Sequence, residues 1–139
     1  MMTDVLFRFD IAASPATVLE AIKTTQGIKG FWTSQADVPS EVGETLKLGF
    51  AIAPLPFDLR LEQSDQRCVV WRTETFPPHW VGTTVHWDVE ASDNGSTVAF
   101  RHEGFSDEEE AGRAAYTWGQ IMKRLTEYTE TSTPNPVFT

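Results

Sequence analysis

Few side chains in this sequence could do acid–base, nucleophilic or metal chemistry. There are three histidines, His79, His86 and His102, and a single cysteine, Cys68. The histidines lack the close ligand spacing of a zinc site, and one thiol cannot build a thiolate cluster or an internal disulfide. No metal or other cofactor is therefore expected. Cys68 opens the apolar run Cys68-Val69-Val70-Trp71, where a buried, inert thiol is the simpler reading than a nucleophile. The sequence holds no Gly-x-Ser-x-Gly elbow, phosphate-binding loop, dinucleotide fingerprint or His-Glu-x-x-His. Glu62 and Asp65 stand near Arg60 and Arg67 as a solvated charge face, and Asp58 and Arg60 read as alternating outward. No carboxylate pair is placed for acid–base work. His102 remains.

What His102 can do depends on the strand that carries it. Thr83 to Glu90 alternates apolar and polar residues, as do Val98, Phe100 and His102. Asn94-Gly95 between them is a strong hairpin signal, since both central positions of a type I′ turn need positive φ. With those two as the loop, Trp87 lies opposite His102, and Val89 opposite Phe100. Asp88 then meets Arg101 and His86 meets Glu103 on the other face. His86 thus reads as one half of a surface pair. His102 points inward beside Trp87, where a buried polar group needs a partner from protein or ligand. It is either a satisfied core histidine or a general acid or base. The structural role is expected, because no second titratable residue is aligned to activate it.

The aromatic content carries the next signal. Aromatic residues make up 12% of the 139 residues, with five tryptophans. Such surface suits either a bulky core or an apolar ligand site, since each ring buries a large area. A net charge of −9 argues against nucleic acid or an anionic membrane surface as partner. The apolar runs are too short to span a bilayer, so membrane insertion is not expected. The N-terminus lacks the pattern of a secretory signal, and with one cysteine a cytoplasmic location is expected.

The elements around these residues follow from their patterns. Val5 to Ile11 alternates as an opening strand. Ser14-Pro15 then starts a helix to about Thr24, with Ser as N-cap and Pro at the first helical position. A short second helix or turn over Gln26 to Gly30 delivers Phe31 and Trp32. Strands follow at Glu44–Phe50, Phe57–Glu62 and Cys68–Thr75, with Pro54, Pro56, Pro77 and Pro78 as breakers. Ser106-Asp107-Glu108-Glu109 fits a capping box with Ser106 as N-cap. The final helix then presents Ala111, Ala114, Ala115, Trp118, Ile121, Met122, Leu125 and Tyr128 as one apolar stripe. Residues 1–131 read as one domain, and 132–139 as a loosely ordered tail.

In order and spacing these features resemble the helix-grip superfamily of START lipid-transfer domains, birch-pollen-allergen-like proteins and polyketide cyclases (SRPBCC). The nearest branch is the one homologous to the C-terminal domain of the activator of the 90-kDa heat-shock protein ATPase. The resemblance is carried by Ser14-Pro15-Ala16 with Val18 and Ala21, Phe31-Trp32 after Gly27, and Val42-Gly43. It continues through Thr83 to Trp87, Gly95-Ser96-Thr97, His102-Glu103-Gly104-Phe105, Trp118 and Leu125. The N-terminal domain of a full chaperone activator is not part of the pattern.

The resemblance implies an α+β helix-grip fold. A curved antiparallel sheet would wrap a long C-terminal helix, with two short helices after the first strand and a largely apolar cavity between. The expected cavity residues are Phe31, Trp32, Leu48, Phe50, Leu59, Trp71, Trp87, Phe100, Trp118 and Met122, with His102 as the polar group. A soluble binding protein for an apolar or amphipathic small molecule is the leading expectation. A cyclase- or hydrolase-type enzyme using the same cavity is the second. The third is a protein-interaction or chaperone-linked module with a filled core, a homodimer included.

Overall fold

The computed structural model describes residues 2–139. Seven strands form one antiparallel sheet: β1 (Thr3–Ile11), β2 (Gln35–Asp37), β3 (Thr45–Gly49), β4 (Phe57–Ser64), β5 (Cys68–Thr73), β6 (Thr84–Ser92) and β7 (Gly95–Phe105). Their order across the sheet is β1-β7-β6-β5-β4-β3-β2, so only β1 leaves its neighbour in sequence to pair at the far side. Helices α1 (Pro15–Lys23) and α2 (Thr25–Phe31) follow β1, and α3 (Glu108–Thr131) follows β7. This is the α+β helix-grip arrangement of a sheet against one long helix.

Alternation fixes what the sheet presents to that helix. Val85, Trp87 and Val89 on β6 and Val98, Phe100 and His102 on β7 are buried. On α3 the buried residues are Ala111, Ala114, Trp118, Ile121, Met122, Leu125 and Thr129. This is the stripe read from the 3.6-residue period, except that Ala115 and Tyr128 are only partly buried and Thr129 joins it. Ser14 caps α1 through its hydroxyl, which accepts from the Thr17 amide at 3.2 Å.

The hairpin register differs from the expected one by two residues. Ser92 pairs with Gly95, so Asp93 and Asn94 form the loop, and Trp87 lies opposite Phe100. Val85 is the partner of His102. Neither loop residue has positive φ, whereas Gly95 does, at 151°. The glycine is needed for a different reason than a type I′ turn. A Cβ on Gly95 would lie 2.2 Å from the Ile11 carbonyl oxygen, so the end of β1 packs against its bare backbone. A slip of two preserves which side chains face inward, so His102 stays on the inner face. His86 still reaches Glu103, diagonally, at 2.8 Å.

Three further expectations change. The N-cap of α3 is Asp107, whose carboxylate accepts from the Glu109 amide at 2.9 Å, and Ser106 lies outside the helix. Asp58 turns out to be buried. Its carboxylate accepts from the Thr75 and Phe76 amides at 3.0 and 2.8 Å, and from the Thr75 hydroxyl. The segment 132–139, expected as a loosely ordered tail, runs back over α2. The amides of Asn135, Val137 and Phe138 donate to the carbonyls of Gly30, Phe31 and Trp32.

Candidate functional site

The inner face of the sheet is filled by aromatic rings where a largely apolar cavity was expected. Trp32 packs on Trp118 with ring centroids 4.9 Å apart, and on Trp71 at 6.0 Å. Phe100 lies 4.6 Å from Trp118 and 4.8 Å from Trp87. Phe31, Leu48, Leu59, Trp71, Trp87, Phe100 and Met122 are all part of this packed interior. Most of the side chains expected to wall a void instead pack into one another.

Space remains at one end of the sheet–helix interface. After β3 the chain leaves the ladder through Pro54 and Pro56. After β5 it turns through Pro77 and a single 3-10 turn at Pro78–Trp80. Asp58 holds that second excursion through Thr75 and Phe76. Ala114, small and buried, lets this part of α3 lie close. Between these segments lies a groove of about 410 Å³. Its walls are aromatic: Trp32, Phe50, Phe57, Phe76, Trp80, Trp118 and, from the tail, Phe138. Of the expected residues, Trp32, Phe50 and Trp118 line it.

The groove is polar at one corner only. Glu110 and Arg113 come from α3, and His79 faces them from the 3-10 turn. The Glu110 carboxylate lies 3.6 Å from His79 Nε2 and 3.7 Å from Arg113 Nη1. Sequence reasoning missed this corner and also Phe57, Phe76, Trp80 and Phe138. Part of the signal was present. Glu110, Arg113, Ala114, Thr117, Trp118 and Ile121 share one helical face, so the stripe could have been extended to its polar end. Trp80 and Phe138 sit in proline-flanked segments with no periodicity to read.

His102 sits deeper, fully buried. Its Nδ1 lies 3.0 Å from Trp118 Nε1, and its Nε2 2.8 Å from Thr83 Oγ1. An indole N–H can only donate, so Nδ1 is the acceptor and Nε2 carries the proton. Thr83 in turn donates to the Trp80 carbonyl at 2.6 Å. The ring links α3, the loop end before β6 and, through Thr83, the 3-10 turn. Burial, with a smaller contribution from His79, pushes its pKa from 6.5 down to about 3. A second proton would sit on Nδ1 facing another donor. This histidine is neutral and satisfied, and it sits behind the groove wall made by Trp80 and Trp118 without lining the groove itself.

A larger hollow of about 620 Å³ lies on the opposite face of the sheet. Of its charged lining, Asp88 is paired with Arg67 at 2.9 Å and Arg101 with Glu103 at 3.3 Å. Cys68 sits beside Asp88, and burial followed by that carboxylate pushes its thiol pKa up, away from a reactive thiolate. The smaller, aromatic groove is the better candidate for binding.

No protein-family model matches the sequence, and no curated protein matches it. Solved structures do match in fold. The Aha1 protein of Colwellia psychrerythraea, solved in solution as a dimer, superposes with a TM-score of 0.83 at 23% identity, covering 93% of this chain and 97% of that one. Protein SSP2350 from Staphylococcus saprophyticus gives 0.80 at 19% identity, over 96% of each chain. DynU16, from the dynemicin biosynthetic locus, gives 0.79 at 17% identity, over 94% of this chain and 48% of its own. The fold implied by the sequence resemblance is therefore the fold found, and identities this low speak for fold alone.

Proposed function

We propose that this chain binds an apolar or amphipathic small molecule in the aromatic groove at the open end of the sheet–helix interface. The observation that carries this reading is the groove itself, about 410 Å³ with seven aromatic walls. Small-molecule sites are concave, mostly apolar and about 300–1,000 Å³. The rest of the interface is packed, so the ligand occupies the groove and not the interior. Catalysis by His102 is disfavoured, because both ring nitrogens are engaged within the protein.

Native mass spectrometry of the purified protein, before and after denaturation, tests the proposal. A co-purifying small molecule should appear in the native spectrum and be released on unfolding. Thr117→Trp, at the half-buried rim of the groove, should abolish retention while leaving the circular dichroism spectrum unchanged. Equal retention by this variant places the ligand elsewhere.

Self-association is a second reading, favoured by the dimeric state of the Colwellia psychrerythraea protein. Sedimentation equilibrium decides it: a single species of monomer mass at high protein concentration would dismiss the dimer.

A further inference from the structure

We infer that the ligand of the groove is a planar aromatic carboxylate, its rings against the tryptophans and its head group at the Arg113–His79 corner. The inference rests on the binding reading above and adds the chemistry of the molecule bound.

The body follows from how the rings are set. Trp80 and Trp118 lie nearly parallel, at 17° and 5.9 Å, and both line the groove. Phe57 meets Trp80 edge-on at 69°, and Phe138 meets Phe50 at 89°. The wall rings thus meet one another through faces and edges, and a planar π-system in the groove would extend the same offset and T-shaped contacts. A flexible alkyl chain gains the burial but not the quadrupole terms, and it loses more conformational freedom on binding.

The head follows from unused donors. Arg113 and His79 each face Glu110, but at 3.7 and 3.6 Å, beyond hydrogen-bond length. By contrast, Arg67 and Arg72 donate to carboxylates at 2.9 Å, and Arg124 to a carbonyl at 2.7 Å. The Arg113 side chain is 74% exposed, free to swing over the groove mouth. Its planar fork matches a carboxylate with two parallel hydrogen bonds. Glu110 holds the Arg113 guanidinium and the His79 ring at the mouth without saturating either. An organic cation would instead have to displace His79 and Arg113 from Glu110 and then face the guanidinium. The Thr117 hydroxyl donates to the Arg113 carbonyl at 3.2 Å, leaving recognition of the head to the Arg113 guanidinium and the His79 ring.

Isothermal titration with 2-naphthoate, 2-naphthalenemethanol and 2-naphthylmethylammonium separates the components. These probes share one aromatic body and differ in head group. Naphthoate should bind wild-type protein about tenfold tighter than the alcohol, and the ammonium should bind weakest. Arg113→Gln should erase the advantage of naphthoate while leaving the affinity of the alcohol unchanged. Glu110→Gln should strengthen naphthoate binding. If the alcohol binds as well as naphthoate, or Arg113→Gln leaves naphthoate untouched, the carboxylate is refuted and the groove stands. Tightest binding by the ammonium reverses the inferred charge. Failure of all three probes overturns the binding reading together with this one.

Discussion

Both ring nitrogens of His102 are committed inside the protein, and that has a pH signature. The ring titrates at about 3 in the fold against 6.5 in the open chain. Below pH 6.5 the unfolded chain takes up this proton and the native state does not. The stability contributed by the neutral ring is therefore complete above pH 6.5 and is lost as the pH falls toward 3. The slope for one proton is about 1.4 kcal/mol per pH unit. Urea midpoints measured just above pH 6.5 and one unit lower should show this loss, and His102→Gln should flatten it. An unchanged slope in the variant would mean the proton is taken up elsewhere. Strand parity made the inward position of His102 legible from sequence. Its partners were not legible: Thr83 and Trp118 come from a loop end and a helix that no local pattern joins. Asp58 was misread for the same reason. Burial would raise its pKa, but hydrogen bonds from Thr75 and Phe76, with help from Lys47, hold it lowered. Thr75 and Phe76 lie 17 and 18 residues on, beyond the β4–β5 hairpin.

At the scale of elements, periodicity located each long helix and strand but not the residues that end them. The capping-box pattern points to Ser106, and the backbone geometry selects Asp107 instead. Asp107 has extended φ and ψ of −127° and 123° and carries the capping bond. Asp107→Ala should then cost about 1 kcal/mol by urea denaturation, and Ser106→Ala less than about 0.5. The reverse order would restore the capping box. The hairpin fails at sequence level in a comparable way. Asn-Gly suggests a turn because both residues tolerate positive φ, yet here the glycine serves the approach of Ile11 from another strand. Short β2 escaped notice because three residues carry no measurable alternation.

The whole molecule closes through its last residues. Phe138 is a wall of the groove and packs edge-on to Phe50 at 5.2 Å, while its amide bonds to Trp32. Deleting Asn135–Thr139 should cost about 2 kcal/mol, given about 1 kcal/mol net per hydrogen bond and partial exposure. Thermal denaturation should show a fall of several degrees, and naphthoate affinity should drop with it. An unchanged melting temperature would show that the tail contributes nothing to the fold. Composition suggested a frayed end here, since Thr- and Pro-rich segments carry no periodic signal. Docking depends on three carbonyls in and after α2 that the sequence does not point to.

All five tryptophans of the chain form one connected set, each within about 6 Å of another: Trp71 on Trp32 and Trp87, and Trp118 on Trp32, Trp80 and Trp87. Indoles this close exchange excitation before they emit. Light absorbed at Trp71 or Trp87, deep in the core, can leave from Trp32, Trp80 or Trp118 at the groove. The protein then behaves optically as a single antenna, with strongly depolarised ultraviolet emission. One acceptor chromophore in the groove would darken the whole set at once.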